Sequence, residues 1–370
     1  MPLVKHKPFD GLDRRFRGNL ARSAWSLCVG AGVSFGLVPT WQELTRRVVN
    51  ESFGSAYDDA GFEDLVKATR WSLDALLQGA ANNLTLTGKP DEAFGELLES
   101  ELYSDLLTQA DAGGLKECLS DALNNPRWLR KEEILQLTDF FEKSHGGSTL
   151  VNLSRSLAEA KEAKKGPQAI INFNADTLLF ALLDLFLIRA HAAKVGKWEH
   201  PSFAFVRTLR GIDGLPAGAT PIFHCHGAVS PSPSGRLTKA KRRDAREHLV
   251  FTEADYLNIA GNVATWAQSL FLFHAQSSRL LIVGHSLSDP NIRKWLAWSL
   301  RSSLEEMAAV STASEFTARH IWVARRPKET DQRRIQEISL LHLGVRVCWV
   351  DDWGQIGDVF DNLLALKSAP

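Results

Sequence analysis

Short apolar runs with no polar face alternate along this chain with stretches whose apolar residues recur every three or four positions. The runs Ala24 to Cys28, Ala169 to Phe173, Pro221 to His226, Leu280 to Gly284, His320 to Ala324 and Val345 to Val350 each predict a strand covered on both faces. Helices are predicted between them. Trp41, Leu44, Val48 and Val49 mark the buried stripe of one that opens at Thr40 to Glu43, which has capping-box spacing. Leu178 to Arg189 predicts a strongly apolar helix, and another runs from Pro290 through Leu300. A short amphipathic helix is predicted over residues 10 to 22, with Leu12, Phe16 and Leu20 on one face. Both-face strands alternating with helices predict the α/β class, with a doubly wound, Rossmann-like parallel sheet.

The alternation is interrupted once. A dehydrogenase-type unit needs a second strand soon after the first helix, ending in an acidic residue about 20 positions past the glycines. None is present. Residues 51 to 165 instead keep helical period through Phe62, Leu65, Val66, Leu73, Leu76 and Leu77, then Phe94, Leu97 and Leu98, then Ile134, Leu137 and Phe141. Breaks fall at Gly88 to Pro90, Gly113-Gly114, Asn124 to Pro126 and Gly146-Gly147. The expected organisation is one α/β domain from residues 1–50 and 166–370 with an all-helical insertion at 51–165.

Composition narrows the partners. Hydrophobic residues are 44% and charged residues 23%, as in an ordinary globular protein. Lys plus Arg and Asp plus Glu are both 43, so no net charge draws the chain to nucleic acid or an anionic membrane. No apolar run reaches the roughly 20 residues of a membrane span, and Met1 to His6 lacks a signal-peptide core. A cytoplasmic location follows as the expectation. The four cysteines, at 28, 118, 225 and 348, form no close pair, which argues against a cysteine zinc module and a disulfide scaffold. No metal is expected. Eleven tryptophans against three tyrosines point to core packing or aromatic interfaces.

Polar clusters stand where the predicted strands end, the edge at which open α/β sheets bind ligands. The first strand ends in Gly30-Ala31-Gly32-Val33-Ser34, a glycine turn of the kind that offers backbone N–H groups to a pyrophosphate. Asn174 and Asp176 end the second, His226 and Gly227 the third, and Gly284, Ser286, Asp289 and Asn291 follow the fourth. Each also has a plain structural reading. His226 could be a hydrogen-bonded core histidine, as His224 is expected to be. Asn174 could cap the next helix, and Asp289-Pro290-Asn291 could be a turn and cap. The basic run Lys239 to Arg246 reads as a solvated face, with contact to a partner or nucleic acid as the alternative.

Taken in order, the glycine turn with Gly36-Leu37-Val38-Pro39-Thr40-Trp41, then Asn174-x-Asp176-x-Leu178-Leu179, then His224-x-His226-Gly227, then Gly284-His285-Ser286-Leu287-Ser288-Asp289-Pro290-Asn291 resembles the sirtuin-like NAD-cleaving domain of bacterial anti-phage defence proteins. The resemblance covers roughly residues 20–50 and 166–355 and leaves the helical insertion without a motif. It implies NAD as substrate and hydrolysis of the nicotinamide–ribose bond to nicotinamide and ADP-ribose. Gly30, Ala31, Gly32 and Ser34 would face the phosphates. Asn174 would align the water or ribose, and His226 would be the general base. Asp176 would anchor the nicotinamide amide or the Asn174 loop. Gly284, Ser286, Asp289 and Asn291 belong to the nucleotide-binding turn, with Ser286 and Asn291 at the adenosine ribose.

This sequence departs from the pattern twice: His285 stands where tyrosine is expected, and Ala175 replaces an aromatic residue. Without the four-cysteine zinc module of protein deacylases, small-molecule hydrolysis is favoured. The resemblance further implies depletion of cellular NAD in abortive defence, a homo-oligomer, and a separate activating partner, with a HerA-type hexameric ATPase as the leading candidate. Nucleic acid is not expected as a direct ligand. The alternative is a non-catalytic NAD or ADP-ribose binding module that regulates a partner, which the presence of both Asn174 and His226 argues against.

Overall fold

A computed structural model describes residues 3–5, 7–195, 203–207, 209–236, 245–261, 265–310 and 315–367. In chain order the strands are β1 Leu3–Lys5, β2 Phe9–Asp10, β3 Trp25–Val29, β4 Ile170–Asn172, β5 Phe203–Val206, β6 Thr220–His224, β7 Arg279–Val283, β8 Glu315–Thr317, β9 His320–Arg325 and β10 Val345–Val350. Eight of them form one sheet, in the order β2-β10-β9-β7-β3-β4-β6-β5, and every pairing is parallel. The doubly wound parallel sheet expected from the sequence is the sheet found. β1 and β8 pair separately.

The strands are apolar on both sides because helices cover both sides. Leu27 and Val29 of β3 join one apolar cluster with Leu44 and Val48 of α1 (Trp41–Phe53), Leu153 of α7 (Thr149–Glu162), Leu182 of α8 (Leu178–Val195) and Phe360 of α13 (Ile356–Leu364). Cys28 faces the other way, into a cluster with Phe271 of α10 (Trp266–Ser277) and Trp295 of α11 (Pro290–Val310). Alternation along a single strand therefore feeds two cores.

Between α1 and β4 the chain is helical: α2 Asp59–Thr69, α3 Leu73–Leu86, α4 Ala93–Ala112, α5 Lys116–Asn124 and α6 Lys131–His145 lead into α7. α7 lies along α8 and α13, and Leu102, Leu119 and Phe141 of the preceding helices join the same cluster as α8. α9 (Glu253–Gly261) precedes α10, and α12 (Thr330–Ile338) lies between β9 and β10.

Two local expectations are corrected. Over residues 10–22, Asp10 ends β2 and the one helical turn is the 3₁₀ turn Arg14–Phe16, capped by Asp13. Gly18 takes a left-handed φ of 67°, and the N–H groups of Gly18 and Leu20 bond the carbonyls of Asn362 and Leu363 at the end of α13. The segment docks on that helix end, with Leu20 fully buried and Leu12 exposed. At Thr40 only half of the capping box forms. Thr40 Oγ1 accepts the Glu43 N–H at 3.2 Å, while the Glu43 carboxylate pairs with Arg47 one turn on. The short edge strands β2 and β5, and the pair β1 and β8, were not foreseen, because two to four residues carry too little pattern.

This topology fixes where a ligand belongs. β3 lies between β4 and β7, and the chain winds outward from β3 in both directions. The crevice at the carboxyl end of β3 is the topological switch point.

Candidate active site

Leaving β3, the chain makes the 3₁₀ turn Ala31–Ser34. Gly30 N–H donates to Val283 O at 3.0 Å and Gly32 N–H to Gly284 O at 2.8 Å. A Cβ on Gly30 would stand 2.7 Å from Gly284 O, and one on Gly284, whose φ is 66°, would stand 2.5 Å from Val33 N. The glycines thus lock the ends of β3 and β7 backbone to backbone. Two of the amides expected to face phosphates are spent on the carbonyls of Val283 and Gly284, while Ala31 remains exposed at the start of the turn. Just past Gly284, Leu287 sits at φ 55° while 2% exposed, a left-handed leucine held by its surroundings.

Ser34 is fully buried and does not line an open phosphate cradle. Its Oγ–H donates to Asp176 Oδ2 at 2.8 Å and its oxygen accepts Asn174 Nδ2–H at 3.3 Å. Asp176 Oδ1 accepts the Leu178 N–H at 3.0 Å, so Asp176, not Asn174, caps α8. Burial pushes the Asp176 carboxyl up, and the Ser34 hydroxyl and Leu178 amide pull it partly back. Asn174 is held from behind by its own N–H on Asn172 Oδ1 at 3.1 Å. Its side chain is 2% exposed, and its Oδ1 has no hydrogen-bond partner. An orphaned buried acceptor costs about 1–3 kcal/mol unless a donor reaches it.

Past the end of β6, the His226 ring stands edge-on to Phe173 at 4.9 Å and to Tyr256 of α9 at 5.9 Å. Among the described residues its ring nitrogens make no hydrogen bond. Burial lowers its pKa to about 4, leaving a neutral imidazole at physiological pH. His224 is the structural one: fully buried, stacked on Phe205 at 4.2 Å and 3.4 Å from Asn172 Nδ2.

His285 joins this wall, 6.0 Å from Phe173. Its Nδ1 accepts the Leu287 N–H at 2.9 Å, so the neutral ring carries its proton on Nε2. Burial lowers its pKa to about 4, with Asp289 opposing that shift and His226 adding to it. Asp289 Oδ1 accepts the Asn291 N–H at 2.7 Å, the turn and cap anticipated as its plain reading. Asn291 is 8% exposed and Ser286 is exposed, 2.6 Å from Ser288 Oγ.

The fold therefore brings Ser34, Asn174 and Asp176 into one hydrogen-bonded set, and groups His226 with His285 around Phe173. Ser286, Asp289 and Asn291 lie along the β7 turn. Tyr256 and Tyr103 escaped sequence reading. Tyr103 Oη donates to Val229 O at 2.7 Å and accepts the Thr177 N–H at 2.9 Å. A usable signal was scarcity: the chain has three tyrosines, and two stand here. Of the basic run, residues 239–244 lie outside the described residues, and Arg246 pairs with Glu99 at 2.6 Å.

A cavity of about 410 Å³ lies at the opposite end of the sheet, lined by Ala169, Pro221, Leu270, Phe273 and His274. It is apolar, and His274 there is engaged with Ser26 at 2.9 Å. The chemistry converges on the carboxyl ends instead, and that is where we place the site. Among the described residues no three His, Cys, Asp or Glu side chains cluster as a metal site, and no helix is long and apolar enough to cross a membrane.

No curated protein matches the sequence. A family model does: residues 168–345 match the SIR2-like domain. The matched stretch holds Asn174, Asp176, His226 and the whole β7 turn, while the Gly30–Ser34 turn lies outside it and reaches the site through the sheet. Over residues 168–345 this chain is thus similar to the SIR2-like domain, a group that includes NAD-dependent enzymes.

Proposed function

We propose that the chain hydrolyses NAD at the nicotinamide–ribose bond. The observation that carries this reading is Asn174, buried at the carboxyl end of β4 with its Oδ1 unpartnered, together with a neutral His226 imidazole at the carboxyl end of β6. The reaction asks little acid chemistry of a protein. Nicotinamide leaves a positively charged ring as a neutral molecule, so no group need protonate it. Water attacks the ribose C1′ as the C–N bond breaks, and its proton passes to His226. Asn174 Oδ1 accepts a hydrogen bond from the water or a ribose hydroxyl and fixes it for attack. Asp176 and Ser34 hold Asn174 and do not touch the reacting bond. Each turnover consumes one water and yields nicotinamide, ADP-ribose and one proton.

Two observations favour a small-molecule reaction over protein deacylation. The cysteines are too scattered in sequence for a zinc module, and Cys28, Cys225 and Cys348 are buried with thiols pushed up by burial. The cellular role we propose is depletion of NAD in anti-phage defence, with activity raised by self-assembly or by a HerA-type ATPase partner. Resemblance is what supports that role. The test is to incubate purified chain with NAD at low and high protein concentration, with and without such a partner, and to quantify nicotinamide and ADP-ribose. Equimolar products support hydrolysis. Saturable NAD binding with no product under any of these conditions would replace it with the binding-module reading.

A further inference from the structure

The helical segment before β4 carries no recognised motif, yet it reaches the floor of the site. Tyr103 on α4 is 1% exposed, and its hydroxyl is used twice. It accepts the Thr177 N–H at 2.9 Å, an amide at the start of α8 that no earlier helical carbonyl can bond, and it donates to Val229 O at 2.7 Å. Thr177 directly follows Asp176, and Val229 lies three residues beyond His226. A backbone bond, Val229 N–H to Ala175 O at 2.7 Å, joins the same two loops.

Neighbouring helices grip the loop that continues from His226. Asn124 of α5 accepts Ser230 Oγ–H at 2.9 Å and donates to Pro231 O at 2.8 Å. Asp121, also of α5 and 1% exposed, accepts the N–H and Oγ–H of Ser234 at 2.9 Å each and pairs with Arg236 at 2.6 Å. Glu133 of α6 takes the other arm of Arg236 at 2.5 Å, and Glu99, one turn before Tyr103, accepts the Ser232 N–H at 2.6 Å. Hydrophobic packing alone would leave these loops free to slide. Directional bonds to buried partners fix their register.

We propose that Tyr103 is a positioning residue of the site, its hydroxyl setting the separation between the Asn174–Asp176 loop and the His226 loop. The helical segment is then the second wall of the catalytic crevice as well as an insertion beside it. Phenylalanine would fill the same volume, so the hydroxyl is the part that acts. The inference rests on the NAD-cleaving reading for its kinetic arm only.

The experiment compares Tyr103→Phe with Leu106→Val, a buried position on the same helix that touches neither loop through a polar group. Tyr103→Phe is expected to lower kcat by about tenfold or more while the NAD Kd stays within about twofold. Leu106→Val is expected to lower the thermal midpoint at least as far with kcat within about twofold of the parent. Amide exchange read at Thr177 is expected to quicken about tenfold or more in Tyr103→Phe, even where no turnover is measured. Unchanged kcat in an active Tyr103→Phe protein, an equal kcat loss in Leu106→Val, or unchanged exchange at Thr177 each overturns the proposal. Absence of product from the parent protein counts against NAD cleavage instead, and the Thr177 exchange still decides the role of the hydroxyl.

Discussion

At the scale of single residues the proposed reaction depends on groups kept neutral or unpaired by burial. His226 is the plainest case. A general base works only unprotonated, and with its pKa lowered to about 4 it stays so down to mildly acid pH. The hydrolysis rate is therefore expected to be flat from about pH 6 to 8 and to fall on the acid side with a midpoint near the lowered value. A pH–rate profile of kcat/KM checks this, and a midpoint at the ordinary histidine value would remove His226 from the role of a buried base. Ser34 supports the other half of the site. Ser34→Ala removes a donor from Asp176 and an acceptor from Asn174, so it is expected to cost about 1–3 kcal/mol of stability. It is also expected to lower kcat more than it raises KM, and denaturation with steady-state kinetics reads both.

At the scale of elements, glycine placement carries the prediction. Gly284 combines a left-handed φ with a Cβ position 2.5 Å from Val33 N, and backbone cannot move aside as a flexible side chain can. Gly284→Ala is expected to cost about 2 kcal/mol or more, or to prevent folding, whereas Gly36→Ala, with φ 82° but open space around it, should cost about 1 kcal/mol. Urea denaturation of the two variants checks the order. The same comparison shows what was legible in the sequence. Central strands such as Ala24 to Cys28 announced themselves because both faces are covered, and Asn174, His226 and Gly284 could be found because they stand at the ends of such strands. Edge strands of two to four residues carried no pattern. Nor did periodicity reveal that Ser34 turns inward to Asp176, that Gly32 spends its amide on Gly284, or that Tyr103 joins two loops 74 and 126 residues away. Those facts depend on which strands become neighbours, and sequence spacing does not encode that.

At the scale of the whole molecule, the fold buries several histidines in the neutral form. The pKa values of His224 and His320 are lowered to about 3, and those of His226 and His285 to about 4, in each case chiefly by burial. The unfolded chain binds protons at these positions near pH 6.5 and the folded one does not, so stability falls as pH drops below about 6.5. Each should contribute about 1 kcal/mol of loss by pH 5.5. Asp176 and Glu101, with carboxyls pushed up chiefly by burial, work in the opposite sense, while burial lowers His145, His274 and His342 as well. Denaturant midpoints at pH 7.5 and 5.5 are expected to differ clearly, and equal midpoints would show that these rings do not stay neutral in the fold.

Asn174 and His226 stand past the carboxyl ends of neighbouring β4 and β6, and one assay addresses their proposed roles most directly. NAD is incubated with the parent protein, Asn174→Ala and His226→Ala under the condition that gives most product, and nicotinamide and ADP-ribose are quantified. The account predicts equimolar products from the parent and a loss of about a hundredfold or more in both variants, with folding retained. Undiminished turnover in the two variants would contradict it, because the bond would then be broken elsewhere on the molecule.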